Sequence, residues 1–183
     1  MNSALNYKIQ VTRDATVSVF DLSQEIDADY IAKKVLEFRD LHPESNTSNV
    51  IGWHSSYFTH KQSDVFNNLI DIVEQKVSNV INDPDCKISV VHMWTIVYEK
   101  GDGTVRHNHF DTMYSAVYYA SVQPNSSPLK FDGGLTIIPE PGMLVIFPSW
   151  LFHEVPAMRF QHKRITAAFN LNCSLKTYEE RLA

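Results

Sequence analysis

The sequence lacks a long apolar run and an excess of positive charge. No stretch of its 183 residues approaches the roughly 20 apolar residues of a membrane-spanning helix, and the first residues lack the basic and apolar segments of a secretory leader. The formal net charge of -5 disfavours broad contact with a nucleic-acid backbone, which requires a basic face. We therefore expect a cytoplasmic protein without membrane partners, for which small molecules, peptides or proteins are more plausible partners than nucleic acid.

Cysteine is also scarce. Only Cys86 and Cys173 are present, and their spacing is not that of a metal site. In an intracellular protein we expect two separate buried thiols rather than a disulfide. Hydrophobic residues make up 44% of the chain and charged residues 20%, which is ordinary for a globular protein and enough to bury a core.

The first half of the chain predicts a hairpin and two helices. Residues 7–20 alternate apolar and polar around a turn at Arg13 and Asp14. Apolar residues at helical spacing predict one helix over 27–41 and a second from Ser63 to just before Pro84. Both helices are one-sided, so each needs a sheet to cover. Between them the chain is polar and irregular.

The second half predicts strands. Short β-branched and aromatic runs alternate with turns rich in glycine and proline, and the runs cover 87–98, 113–122, 128–131, 135–138, 143–147 and 164–171. Strands that follow the helices, rather than alternate with them, indicate an antiparallel sandwich or jelly roll. We predict a mainly β single domain over 1–183, with the hairpin and helices in 1–85, the helices packed on one sheet, and the β core in 86–173.

A dense group of potential metal ligands lies at the edge of one strand. His107, His109 and Asp111 are alternate residues, so in an extended segment all three side chains could face one cavity. Two imidazoles and a carboxylate suit Fe(II), Mn(II) or Zn(II). The natural further ligand is His153, which follows the strand at 143–147 and a proline-containing corner. Without His153, a solvated loop would explain these residues equally well.

The strand that begins at Arg164 carries a second signal. Arg164, Thr166 and Asn170 share one face, and the apolar residues between them share the other, which should pack on the helices. An arginine aimed inward needs an anion, and a carboxylate matches its planar fork. If Asp111 already serves the metal, that anion has to come from a ligand.

These residues resemble a known family. His109-x-Asp111, His153 and Arg164-x-Thr166 are similar to the HxD…H…R/K-x-S/T signature of the 2-oxoglutarate- and Fe(II)-dependent oxygenases, whose fold is a double-stranded β-helix. The segments around His107-x-His109, 115–119, 142–155 and 164–170 resemble a small branch with HxH…SGVYY, FPSWLxHxV and RISxSFN blocks. The resemblance covers about residues 90–172.

The resemblance implies a chemistry and a role for each matching residue. Fe(II) would be held by His109, Asp111 and His153, and 2-oxoglutarate and O2 would take the remaining positions. The distal carboxylate of 2-oxoglutarate would pair with Arg164, assisted by Thr166 and Tyr98. A substrate C–H bond would be hydroxylated with release of succinate and CO2.

Tyr98 with Gly101-x-Gly103 also resembles the run that precedes the metal motif of prolyl hydroxylases. This similarity favours a prolyl or other amino-acid side chain as substrate.

Alternatives remain open from the sequence. Because the branch varies the position of Asp111, the ligands could instead be His107, His109 and His153; otherwise His107 lies beside the metal or faces the substrate. A cupin-like isomerase or Zn(II) hydrolase would use the same histidines without 2-oxoglutarate, and a jelly-roll binding module would have no chemistry. Arg164 discriminates between these readings, because only the 2-oxoglutarate reading requires it.

Overall fold

Two α-helices, two short 3-10 helices and eleven strands make up the regular structure of the described residues. The computed structural model describes residues 14–46, 48–177 and 181. The helices are α1 (Ala28–Leu41) and α2 (Asn67–Ile81). The strands are β1 (Ser18–Asp21), β2 (Val50–Ile51), β3 (Trp53–His54), β4 (Cys86–Tyr98), β5 (Gly103–His107), β6 (Tyr114–Ser121), β7 (Leu129–Phe131), β8 (Thr136–Ile137), β9 (Met143–Pro148), β10 (His153–Val155) and β11 (Arg164–Leu175).

Both predicted helices are present. The side chain of Asp27 caps α1 by accepting a hydrogen bond from the backbone N–H of Tyr30, and the helix ends before Pro43, as predicted. The short 3-10 helix Asp64–Phe66 leads into α2, and the side chain of Ser63 caps it. Asn82 ends α2 in the left-handed conformation, with φ of 52°.

The strands form two antiparallel sheets. The larger sheet has the order β1-β9-β6-β11-β4-β3, and the smaller has the order β2-β5-β10-β7-β8. Both helices pack on the larger sheet, where Val35 of α1 and Leu69, Val73 and Val77 of α2 are fully buried in the main core. The predicted jelly roll with helices on one sheet is therefore confirmed.

β11 lies between the core under the helices and the space between the two sheets. Its residues Ile165, Ala167, Phe169 and Leu171 belong to the core under the helices. The intervening residues, Arg164 among them, face the space between the two sheets. The two predicted faces of this strand are confirmed.

Several short strands were not predicted. β2 and β3 lie in the segment expected to be irregular, and they join the smaller and larger sheet respectively.

β1 pairs with β9. The first arm of the predicted hairpin, residues 7–13, lies outside the described residues, so the hairpin stays a prediction.

The prediction of two separate thiols was wrong. Cys86 and Cys173 form a disulfide, with their Cα atoms 5.7 Å apart. They are 87 residues apart in the sequence, but β4 and β11 run antiparallel side by side over their whole length. The start of one strand therefore meets the end of the other, which the spacing of the cysteines could not show.

Within the described residues, no helix has the length and apolar character needed to cross a membrane.

Candidate metal and anion site

Three histidines meet between the sheets. His107 is the last residue of β5 and His153 the first of β10, and the two face each other in the β5–β10 ladder. His109 follows two residues beyond β5, where its backbone N–H donates to Ser149 O at 2.8 Å. One potential ligand atom from each histidine lies within 4.8 Å of the other two. This spacing suits three ligands on one face of a single ion.

Hydrogen bonds orient the imidazole rings. His107 Nδ1 lies 2.9 Å from Val105 O, and His153 Nδ1 lies 3.0 Å from Leu151 O. A backbone carbonyl only accepts, so each Nδ1 carries the proton and each Nε2 keeps a free lone pair. Both rings are thus prepared to bind a metal through Nε2.

Burial keeps these imidazoles neutral. It lowers the pKa of His109 and of His153 to about 3, and it also lowers the pKa of His107. The neutral ring is the form that binds a metal, so no proton competes strongly for the site near neutral pH.

Asp111 is not part of this group. It is exposed, in a turn after the end of β5. The expected set of His109, Asp111 and His153 assumed that the extended alternation continues through residue 111, and the chain instead bends there. The structure brings together the other set, His107, His109 and His153.

Arg164 lies at the far end of the same space. Its side chain is 1% exposed and is packed between the rings of Tyr98 and Tyr119, whose centroids are 5.3 and 5.1 Å from Cζ. Nη1 donates to Ser127 O at 2.5 Å, whereas the buried Nε has no hydrogen-bond partner. Within the described part of the chain no carboxylate pairs with it.

Two neighbouring hydroxyl groups complete this end. Thr166 Oγ1 is buried and has no hydrogen-bond partner in the described structure, so it is available to a ligand. The Tyr98 hydroxyl is already bonded to Thr104 Oγ1 at 2.7 Å, and burial raises its pKa. Tyr98 therefore contacts Arg164 through its ring, and its hydroxyl is engaged elsewhere.

A cavity of about 100 Å³ joins the histidines to Arg164. None of the described residues that line it is an aspartate or glutamate. A buried guanidinium without a counter-ion is costly, so the cavity fits a small anion whose carboxylate reaches Arg164. 2-Oxoglutarate has the required groups, with one carboxylate for Arg164 and a keto acid for the metal.

An aromatic wall, defined here as His54, Tyr57 and Trp94, lines the same cavity, and Trp94 contacts His109. The Trp94 ring is 5.7 Å from His109, 5.8 Å from His54 and 5.2 Å from Tyr57, measured between centroids. None of these three residues is singled out individually by the sequence pattern as a site residue. The available signal was alternation on β4, since Trp94, Ile96 and Tyr98 share one face and all line the cavity.

Comparison with protein families matches residues 132–170 to the family described as "Putative 2OG-Fe(II) oxygenase". The match contains His153, Arg164, Thr166 and Asn170. A comparison with curated proteins finds no match.

Comparison with solved structures finds a similar fold in two prolyl hydroxylases and an epimerase. The viral collagen prolyl hydroxylase of Paramecium Bursaria Chlorella virus-1, solved with 2OG, is 12% identical at a TM-score of 0.62, covering 87% of this chain and 96% of its own. A prolyl hydroxylase from Trichoplax adhaerens, in complex with a hypoxia inducible factor peptide fragment, is 15% identical at 0.60, with coverage of 84% and 83%. The epimerase SnoN with Fe3+ and alpha ketoglutarate is 11% identical at 0.64, with coverage of 89% and 81%.

Proposed function

We propose that this protein is a 2-oxoglutarate- and Fe(II)-dependent oxygenase that hydroxylates a C–H bond of a prolyl or other amino-acid side chain. His107, His109 and His153 hold Fe(II) in this proposal, and Arg164 and Thr166 bind 2-oxoglutarate. His107 replaces Asp111 in the ligand set expected from the sequence. Tyr98 supports the cosubstrate by packing its ring on the Arg164 guanidinium.

The observation that carries the proposal is that Arg164 has no carboxylate partner among the described residues and lies in the same cavity as the three histidines. Neutral imidazoles leave both positive charges of a bound dication uncompensated, and Arg164 adds a third. Because no acidic residue lines the cavity within the described structure, the compensating charge must come with a ligand. A dianionic keto acid that spans the metal and Arg164 compensates two of these three charges.

The protein's part in the reaction is positioning and shielding. Bound Fe(II) supplies the redox chemistry, in which 2-oxoglutarate and O2 are converted to succinate and CO2 and one oxygen atom enters a C–H bond. Arg164 and Thr166 fix one end of the keto acid, so its reactive end is held toward the histidines. The buried apolar residues around the site, such as Phe147 and Leu129, exclude water.

The aromatic wall supports a ring-bearing or aliphatic side chain as substrate. Trp94 offers a flat apolar face beside His109, and Tyr57 lies against Trp94. No carboxylate of the described lining would hold a cationic side chain. The viral and Trichoplax neighbours are prolyl hydroxylases, and the second is complexed with a peptide. A neutral prolyl residue presented by a peptide fits these features.

Product analysis tests the proposal. The protein is incubated with Fe(II), 2-oxoglutarate, ascorbate and O2, with and without proline-containing peptides, and succinate and peptide mass are measured. We expect succinate that rises when an accepted peptide is present, and a peptide that gains one oxygen atom. Iron-loaded protein that forms no succinate under any of these conditions would refute the oxygenase, and His153→Ala provides the inactive control.

A further inference from the structure

His109 differs from the other two histidines in what orients its ring. His107 and His153 are held by backbone carbonyls close by on their own segments. His109 lies beyond the end of β5, and its Nδ1 faces the side chain of Asn170 on β11, with Nδ2 at 3.4 Å. Of the three rings, this one depends on a side chain from another strand.

Asn170 is itself part of a buried polar chain. Its Oδ1 lies 2.9 Å from Ser115 Oγ, Ser115 Oγ lies 2.8 Å from Ser149 Oγ, and Thr112 Oγ1 lies 3.0 Å from Ser149 Oγ. Asn170, Ser115 and Ser149 are 3%, 2% and 0% exposed. The chain links β11, β6, the end of β9 and the loop that carries His109. A buried polar chain of this kind is costly unless every donor finds an acceptor.

The direction of this chain determines whether His109 can bind a metal. If Asn170 Nδ2 donates to His109 Nδ1, the ring carries its proton on Nε2, and Nε2 then has no lone pair for an ion. A metal on Nε2 requires a proton on Nδ1, which in turn requires an acceptor. The amide must then present Oδ1 to the ring, a half-turn from the orientation in which Nδ2 faces it.

The rest of the chain accommodates that half-turn. With Oδ1 on His109, Asn170 Nδ2 donates to Ser115 Oγ, Ser115 donates to Ser149 Oγ, and Ser149 donates to Thr112 Oγ1. Each hydroxyl reverses its role, and the half-buried Thr112 hydroxyl, at the end of the chain, is the one donor in it that gives up its acceptor. Serine and threonine hydroxyls at these positions allow both directions.

We propose that Asn170 is a positioning residue that sets the tautomer and orientation of His109 for metal binding, through this reversible chain of hydroxyl groups. The inference rests on the proposed metal site. It extends that site to a residue that touches neither the ion nor the cosubstrate. Partners of metal-bound histidines commonly change metal affinity about 10- to 100-fold when they are removed.

Fe(II) titration of three variants tests the role of Asn170. Asn170→Leu removes the acceptor while keeping side-chain volume, and it should weaken anaerobic Fe(II) binding about 10- to 100-fold. Asn170→Asp retains an acceptor for both His109 and Ser115, and should bind Fe(II) within a few-fold of the unmodified protein. Asn172→Leu is the matched control, because Asn172 lies on the same strand and accepts from Met113 N at 3.0 Å without touching an imidazole.

The outcomes separate this inference from the proposed function. No Fe(II) binding by the unmodified protein would refute the metal site itself. If the unmodified protein and Asn170→Leu bind Fe(II) equally, Asn170 has no positioning role. A positioning role for Asn170 is also refuted if Asn172→Leu loses as much Fe(II) affinity as Asn170→Leu. It is refuted as well if Asn170→Asp binds Fe(II) as weakly as Asn170→Leu. The thermal midpoint of each metal-free variant shows whether its fold is intact.

Discussion

The ligand set depends on where the extended chain ends. His107 is the last residue of β5 and His109 follows in a loop that Ser149 holds in place, whereas Asp111 lies in the exposed turn beyond it. Sequence spacing placed the three residues on one face, and it correctly identified His109 and His153 as residues that meet. It could not show the bend, because no proline or glycine marks it.

Separate replacement of His107 and of Asp111 by alanine distinguishes the two possible ligand sets. His107→Ala should abolish stoichiometric Fe(II) binding, because two imidazoles alone leave the ion weakly held. Asp111→Ala should bind Fe(II) as the unmodified protein does. Anaerobic titration with Fe(II) measures both affinities. Loss of iron in Asp111→Ala with retention in His107→Ala would restore the carboxylate as the ligand.

Replacement of Arg164 tests the anion end of the cavity. Arg164→Met keeps much of the side-chain length without the charge, and should raise the Kd for 2-oxoglutarate on the order of 100-fold while leaving Fe(II) binding intact. Arg106→Met is the control, since Arg106 is an exposed arginine paired with Asp132. Calorimetric titration of the metal-loaded variants gives the Kd for 2-oxoglutarate, and titration of the metal-free variants gives the Kd for Fe(II). An unchanged Kd in Arg164→Met would mean that the cosubstrate binds without the help of Arg164.

The strand pair β5 and β10 holds two of the three proposed metal ligands. His107 and His153 are direct partners across this ladder, and Gly103 lies at its other end, where an added Cβ would come within 2.7 Å of Val155 O. Two strands can approach this closely only because the residue is glycine.

Gly103→Ala therefore should affect both stability and metal binding. Moving β5 away from β10 should lower the free energy of unfolding by about 1–3 kcal/mol and weaken Fe(II) binding through the changed spacing of His107 and His153. Val105→Ala, an exposed position on the same strand, should leave metal binding unchanged. Denaturant unfolding and metal titration measure the two effects. Unaltered stability in Gly103→Ala would show that the strands tolerate separation.

At the level of elements, the long strands were predicted and most of the short ones were not. The exceptions are β7 and β8, of three and two residues, where runs were predicted at 128–131 and 135–138. β4, β6, β9 and β11 are 13, 8, 6 and 12 residues long and rich in apolar side chains, and their predicted positions differ from the observed ones mainly at the ends. β2, β3 and β10 have two or three residues, too few for an alternating pattern. β5 carries a polar arginine and histidine beside a turn, so it reads as a loop.

At the level of the whole molecule, the disulfide joins the outer ends of β4 and β11. Cys173 is roughly 30 Å along β11 from Arg164, at about 3.3 Å per residue. The bond therefore stabilises the sheet far from the anion end of the cavity. Disulfides persist in oxidising compartments and are rare in the cytosol. The Cys86–Cys173 bond therefore stands against the expectation of separate thiols in a cytoplasmic protein.

Removing the disulfide should cost stability without changing cosubstrate binding. Closure of a loop with a sequence separation of 87 residues predicts that Cys86→Ser with Cys173→Ser lowers the free energy of unfolding by about 2–4 kcal/mol. The Kd for 2-oxoglutarate should stay the same. Unfolding with and without reductant checks the first effect, and thiol titration of the protein as isolated shows whether the bond is present. Two free thiols and no response to reductant would contradict the pairing.

The most direct test of the account is anaerobic addition of Fe(II) followed by 2-oxoglutarate, with observation of the weak visible charge-transfer band of an iron-chelated keto acid. The three-histidine site predicts the band in the unmodified protein and in Asp111→Ala, and its loss in His107→Ala, His109→Ala and His153→Ala. It also predicts that Arg164→Met needs much more 2-oxoglutarate to develop the band. Iron binding without any band in the unmodified protein would contradict the account and favour a metalloprotein that does not use 2-oxoglutarate.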